Sequence, residues 1–330
     1  MTSTTTRSRN HRRPSRPGSK PDVAGNRDTV AAGARRRERS SGDLIDRIGV
    51  HVDRAAADPT SRWDPDYVAR TLRIMDRFNR YFASEVVGWE KVPTDRPVLF
   101  VGNHSGGQLS PDTCALLSKW YETRGFEHPL ALLAFDLLLA IPGMGDLVRK
   151  IGGVPAGHDT AERALESGAS VVVYPGGDHE VFRPFWHRNH IDFDGRKGFV
   201  KLAIRTGVPI VPVVGHGGHE TMVVVARGEG LARRLRLDRV RVKILPFALG
   251  GPLGVMPGFL PAVPIPAKIT LQVLDPIDLS HIDPAAADDP EILQACYDDV
   301  TERMQSALTA MAKDRPFPVL SRLAELVERG

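Results

Sequence analysis

Apolar residues at helical spacing first gather at Leu44, Ile45, Ile48 and Val52, behind Asp43 as a candidate N-cap. Ordered structure is therefore expected to begin near residue 43. A second helix is expected from Asp64 to about Val87, with Tyr67, Leu72, Met75, Phe78 and Phe82 as its stripe. The period then changes. Pro97–Val101 is a short, wholly apolar run ending in Gly102-Asn-His-Ser-Gly-Gly107, which reads as a buried strand entering a glycine turn. A helix opens at Pro111 or Asp112. Pro129–Ala134 and Gly168–Tyr174 read as strands with helical stretches between them, and a helix over Gly198–Arg205 precedes a strand over Val208–Val214. Strands alternating with helices give an α/β fold: a mostly parallel central sheet flanked by helices.

Past Thr221 the alternation stops. Leu231–Leu245 interleaves basic and apolar residues, and Phe247–Pro266 is a chargeless stretch of Gly, Pro and large apolar side chains. Two readings stand. One is a strand followed by a Pro/Gly-rich loop packed on the core. The other is a monotopic surface, with Arg233, Arg234, Arg236, Arg239, Arg241 and Lys243 toward headgroups. Phe247, Leu249, Leu253, Val255, Met256, Phe259 and Leu260 would then enter the acyl boundary. Lys268–Pro276 resumes as a strand. Pro290–Ala312 is an amphipathic helix whose face of Leu293, Cys296, Val300, Met304, Ala307 and Met311 is expected to pack on the core. The chain divides into residues 1–42 as a disordered basic tail, 43–95 as an N-terminal helical region, 96–315 as the main domain and 316–330 as a C-terminal helical tail.

Charge changes the picture at one end. Residues 1–42 hold eleven Arg and Lys against three acids, a balance of +8, so the net +4 of the chain leaves −4 for the rest. That tail has almost no large apolar residues to offset its ordering entropy, and no apolar core of a secretory signal. It is read as a solvated leader, with a weak tether to anionic lipid as the alternative. No nucleic-acid module follows it, so nucleic acid is not an expected partner. The body, 42% hydrophobic and 25% charged over all 330 residues, has the make-up of a globular protein. No segment reaches roughly 18 uninterrupted apolar residues. The nearest, Leu130–Gly145, is broken by Asp136 and Pro142. Work at a membrane would be done from one side, and the expected location is cytoplasmic, peripherally on the inner face. Cys114 and Cys296 match no metal or redox spacing and are expected to be reduced thiols.

The strongest candidate chemistry is Val101-Gly-Asn-His-Ser-Gly-Gly-Gln-Leu-Ser-Pro-Asp112. A histidine just past the carboxyl end of a buried strand stands where α/β sheets place ligands. Asp112, in the first turn of the next helix, would orient the His104 imidazole and leave its other nitrogen free to take a proton. Asn103, Ser105, Gly106 and Gly107 would line the substrate path. A second strand runs into Tyr174-Pro-Gly-Gly-Asp-His-Glu180, and a polar stretch ends at Arg196-Lys197. Backbone amides and basic side chains there could hold a phosphorylated ligand. Tyr174, Pro175, Gly176, Gly177, His179, Glu180, Arg196 and Lys197 are the candidates for binding substrate.

Order and spacing of these blocks resemble the lysophospholipid acyltransferase superfamily over about residues 85–280. In that family a strand ends in His, four arbitrary residues and Asp, the catalytic pair. A second block resembles Leu137–Val154, and a third, Phe-Pro-Glu-Gly-Thr-Arg, is here Tyr174–His179. The fourth resembles Gly198–Val213. Arg196-Lys-Gly-Phe, Tyr-Pro-Gly-Gly and Gly215-His-Gly-Gly-His-Glu220 are closer still to the diacylglycerol acyltransferase branch. The resemblance implies an acyl-CoA-dependent O-acyltransferase that moves a fatty acyl group to a lipid hydroxyl. His104 would be the general base, Asp112 its partner, with no covalent intermediate. It implies acyl-CoA or another acyl thioester as co-substrate, a lipid acceptor, a membrane surface, and no cofactor.

Two departures stand out. Seven residues separate His104 from Asp112 where the common pattern has four, so a longer loop must fold back. Gly176 stands where the family often has Glu, and His179 where it has an Arg thought to bind the acceptor's phosphate. Losing that arginine favours a neutral acceptor such as diacylglycerol over lysophosphatidate, which remains the alternative. Two rivals follow from other residues. His187 with His190, and His216 with His219, repeat at a spacing that can ligate zinc, with Glu220 or Asp192 to complete a site; the expectation is nonetheless no metal. A non-catalytic lipid-binding protein is the other, suggested by the long His–Asp spacing.

Overall fold

The computed structural model describes residues 59–107, 110–235, 244–250, 254–257 and 263–328. The tail 1–42, the helix expected from Asp43, Gln108, Leu109, Arg236, Arg239, Arg241, Lys243, Leu253, Phe259 and Leu260 lie outside the described residues.

Helix α1 (Pro65–Phe82) starts as its sequence directs: Asp64 accepts the Tyr67 N–H at 2.9 Å, and Pro65 fills the first helical position. It stops short of the expected Val87. Ala83 turns left-handed (φ 46°), and Glu85–Val87 forms strand β1. β-Branched Val86 and Val87 pair in parallel with a strand from the far end of the chain, and that tertiary ladder overrides the helical pattern.

Strand β2 (Leu99–Gly102) lies at the centre of a seven-stranded sheet. The others are β3 (Leu130–Ala134), β4 (Gly153–Pro155), β5 (Ser170–Val173), β6 (Ile210–His216) and β10 (Thr270–Val273), in the order β1-β10-β6-β2-β5-β3-β4. Five consecutive strands, β6 through β4, run parallel; β10 opposes β6, and β1 follows β10. The sheet is thus mostly parallel, flanked by helices on both faces. β4 was not among the expected strands, because three residues beginning at Gly153 give too short a run to separate from its helical surroundings.

Alternate residues of each central strand feed two cores. Leu99, Val101, Val171 and Val214 face a cluster with Phe199, Ala203, Val300 and Met304. Val98, Phe100, Val172 and Val211 face another with Val68, Leu116, Trp120 and Tyr121. Burial on both faces is why these strands read as unbroken apolar runs. Met304 and Val300 lie on the long helix Pro290–Asp314, with Leu293, Cys296, Ala307 and Met311 packed at the margin of the same cluster.

The region past Thr221 departs from the reading of a strand followed by a loop. Residues Glu229–Arg234 form a helix, so the basic–apolar alternation from Leu231 does not begin as a strand. Phe247–Gly250 (β8) and Gly254–Pro257 (β9) are strands, not loop; β8 is the centre of a separate three-stranded sheet and pairs antiparallel with both β9 and β7 (Val223–Ala226). Pro and Gly density concealed strands only four residues long.

Candidate active site

The parallel strands bring their carboxyl ends to one edge, where the segments after β2, β5 and β6 meet. After β2, Asn103 bridges to β6: its amide donates to the Gly215 carbonyl (2.9 Å) and its oxygen accepts the Gly215 N–H (2.7 Å). His104 then stands over the end of the sheet, its ring stacked on Tyr174 with centroids 4.3 Å apart.

The long loop does fold back. Gly106 takes φ +81°, closed to most side chains, and Ser110 adopts a left-handed φ of 40° immediately before the helix Pro111–Arg124. This brings Asp112 to His104, with Nδ1 3.2 Å from Oδ2. Asp112 is buried, and it is richly satisfied. Oδ2 also accepts the Ser105 N–H (2.8 Å), and Oδ1 accepts the Thr113 N–H (2.7 Å). The helix N-terminus favours its negative charge as well. With Nδ1–H donating to Asp112, the His104 Nε2 carries the lone pair and faces the Ser110 hydroxyl at 3.4 Å. A half-buried imidazole so oriented can accept a proton from a hydroxyl.

After β5, Tyr174 supports the imidazole and receives a hydrogen bond from Thr113 Oγ1 (3.0 Å). Burial, then the Asp112 charge, pushes its phenol well above the ordinary value, so it stays protonated. Arg196 closes the glycine turn: Nη1 donates to the Pro175 and Gly176 carbonyls at 3.1 Å each, and Nη2 meets Asp178 and Asp194. Gly177 begins the short helical turn Asp178–Val181 that carries His179 and Glu180. His179 is held from both sides, by Asp192 Oδ2 at Nε2 (2.7 Å) and by Arg227 at Nδ1 (3.1 Å). Glu180 is buried against Arg183, and desolvation pushes its carboxyl up to about 8 against the pull of that guanidinium. Lys197 stands at the N-cap position of the helix Gly198–Thr206 and makes no side-chain capping bond there.

After β6, the segment Gly215–Glu220 backs the first loop. His216 and His219 are buried, and desolvation lowers them to about 4 and about 3; the next causes are Arg315 and Arg183 respectively. Both are neutral at ordinary pH. Glu220 pairs with Arg188 (3.1 Å). His190 faces Gln305 (3.1 Å) away from that pair. Among the described residues no three of His, Cys, Asp and Glu gather as a metal-binding group. Neither Cys114 nor Cys296 is in a disulfide, and burial pushes the Cys114 thiol up to about 12.

Sequence reasoning passed over Arg183 and Arg227 as members of this group. Arg183 looked like one cation in a polar stretch. Arg227 lies 48 residues from His179, and no local pattern signals such a partner.

A family model described as Acyltransferase matches residues 83–215. Over 282 residues the chain is 31% identical to an uncharacterized protein of Mycobacterium tuberculosis, covering 84% of this chain and 73% of that one. It is 28% identical to human diacylglycerol O-acyltransferase 2 over 169 residues, 49% of this chain and 43% of the human protein. Against the chloroplastic phytyl ester synthase 2 of Arabidopsis thaliana it is 33% identical over 126 residues, 37% of this chain and 18% of the plant protein. The crystal structure of a 1-acyl-sn-glycerophosphate acyltransferase from Thermotoga maritima superposes with a TM-score of 0.44 at 21% identity, covering 74% of this chain and 80% of that one.

Proposed function

The chain belongs to the glycerolipid acyltransferase family, and from that premise we propose that it carries a fatty acyl group from acyl-CoA to the hydroxyl of a neutral lipid, with His104 as general base. The observation that carries this reading is the His104–Asp112 pair at 3.2 Å, set at the edge of the sheet where three strand-end segments converge. Nε2 takes the acceptor's hydroxyl proton as the oxygen attacks the thioester carbonyl. The carbon–sulfur bond breaks, and the proton passes from Nε2 to the leaving thiolate. Asp112 steadies the imidazolium between these steps. No acyl-enzyme is required, and no cofactor. Asn103, Ser105, Gly106 and Gly107, and Tyr174 to Gly177 with Lys197, are the residues this reading assigns to substrate.

Charge pairing supports the neutral acceptor. At the position where the family carries an arginine, both ring nitrogens of His179 are engaged by the protein. Arg196 and Arg227 are each matched to a carboxylate, Asp178 and Glu229 respectively, and Arg183 is buried with its guanidinium donating to Glu180 Oε1 and the Asp192 carbonyl. A phosphomonoester would have to displace these pairs. Relatives named for acylating diacylglycerol and for making phytyl esters point the same way. The test is an acceptor screen with labelled acyl-CoA. Diacylglycerol or another lipid alcohol should outrun lysophosphatidate, and the reverse order would reject the neutral acceptor.

We further propose a peripheral position on the inner, cytoplasmic face of a membrane. No helix among the described residues is long and apolar enough to cross one. Phe135, Leu138, Ile141, Met144 and Leu147 lie exposed just after the carboxyl end of β3, at the same edge as the site. Leu249, Val255 and Val263 add exposed apolar surface from the second region. In liposome co-sedimentation, Phe135→Ser with Leu138→Ser should release the protein into the supernatant; undiminished binding would reject this surface.

A further inference from the structure

A side chain at Gly176 would compete with the Glu180 side chain for the same space. A Cβ built on Gly176 would stand 2.2 Å from Glu180 Cγ and 2.5 Å from both its Cδ and its Oε2. The glycine is therefore what admits the Glu180 carboxyl. That carboxyl is 1% exposed and spans three segments. Oε2 accepts the His104 backbone N–H (3.2 Å); Oε1 accepts from Arg183 Nη2 and from the Asp192 N–H (3.4 Å each). The first of these bonds fixes the main chain of the residue whose imidazole stands over Tyr174.

We propose that Glu180 is the positioning residue for His104, delivering through the gap at Gly176 the carboxyl that anchors the histidine's backbone. The geometry explains the departure at Gly176. Two carbons bonded to a common third lie about 2.5 Å apart, and 2.5 Å is the separation between the Gly176 Cβ point and Glu180 Cδ. A glutamate introduced at 176 would thus reach with its own carboxyl carbon the point where Glu180 Cδ now sits. Glutamate is what the acyltransferase pattern has at this position. Here the same carboxyl arrives from one helical turn later. The bond matters because a reacting group displaced by about 1 Å can cost up to 10²-fold in rate.

This inference rests on His104 as the base, and the experiment separates the two. Acyl transfer is measured at saturating acyl-CoA for Glu180→Ala, Glu180→Gln, the double variant Gly176→Glu with Glu180→Ala, and His104→Ala. Glu180→Ala should lose about tenfold or more in kcat with the acceptor KM within about twofold. Glu180→Gln, which keeps an oxygen acceptor, should stay within a few fold of the parent. The double variant should recover most of the lost kcat. A merely structural carboxyl would not be rescued by relocation in kcat alone. A folded Glu180→Ala with kcat near the parent, or a folded double variant as slow as Glu180→Ala, overturns the proposal. If Glu180→Ala does not fold, the double variant decides: active supports it, folded and inactive overturns it. Normal turnover by His104→Ala would sink the base assignment and this proposal with it, whereas loss in Glu180→Ala without rescue sinks only the latter.

Discussion

The segment after β2 and the turn after β5 both serve one edge of the sheet, but they are built in opposite ways. The first makes its charged pair locally: His104 finds its carboxylate eight residues on, and Asp112 draws its other donors from Ser105 and Thr113 beside it. The second is assembled from afar. His179 is held by Asp192 and by Arg227, 13 and 48 residues away, and Arg196 reaches back 20 residues to the Gly176 carbonyl. On the proposed reading the local pair does the chemistry, and the dispersed turn, besides anchoring the His104 main chain through Glu180, sets what the site will accept.

The sharpest way to break that division is His104→Ala. Loss of a general base should lower kcat/KM by about 10²–10⁴-fold while the melting curve stays near the parent's. A variant with near-normal acyl transfer would move the chemistry elsewhere. Asp112→Asn comes next, at about 10²-fold or less. The base remains, but an amide oxygen that accepts from Nδ1–H and the Ser105 N–H turns its NH2 onto the Thr113 N–H, and the flipped amide loses the first two instead. Equal losses in the two variants would mean that the pair acts as one unit.

The segment after β6 sharpens the comparison through pH. His219 is held down to about 3 in the fold, first by burial and then by Arg183, whereas an unfolded histidine titrates near 6.5. Below that value the unfolded chain binds the additional proton, so this group's contribution to stability is full above about pH 6.5 and drains away toward pH 3. Between pH 6 and 4, His219→Gln should therefore lose stability less steeply than the parent, by up to about 1.4 kcal/mol per pH unit in denaturant melts. Parallel slopes would show that His219 is not kept neutral behind the first loop.

The same contrast governs how much could be read from the sequence. Strand β2 was legible because two-sided burial forces an unbroken apolar run, and His104 because it follows that run directly. Asp112 was legible as a helix-opening residue, although the pattern's shorter spacing argued against its reach; the left-handed turns at Gly106 and Ser110 supply the missing curvature. Strands β1 and β4, three residues each, carry no period of their own and exist through pairing. The β8–β9 hairpin was hidden by its glycines and prolines. Arg227 was illegible for a different reason: a cation's meaning depends on what lies across space, and β7 must first deliver it to His179.

The smallest effect tests the dispersed device most directly. If cations around the turn are withheld from substrate by pairing, restoring one more guanidinium should change the acceptor and not the chemistry. His179→Arg places that guanidinium beside Asp192, at the position where the acyltransferase pattern has its own. Arg227 then loses its contact with the ring but keeps Glu229 at 3.2 Å, so the like charges remain partly offset. The ratio of kcat/KM for lysophosphatidate over diacylglycerol should rise about tenfold, near 1.4 kcal/mol, which is modest for a charge-assisted phosphate contact because Asp192 competes for the new donor. The pH-rate profile, which reports the base, should not move. A ratio unchanged by the substitution would mean that the turn after β5 does not meet the acceptor's head, and that selectivity lies with the loop beside His104 instead.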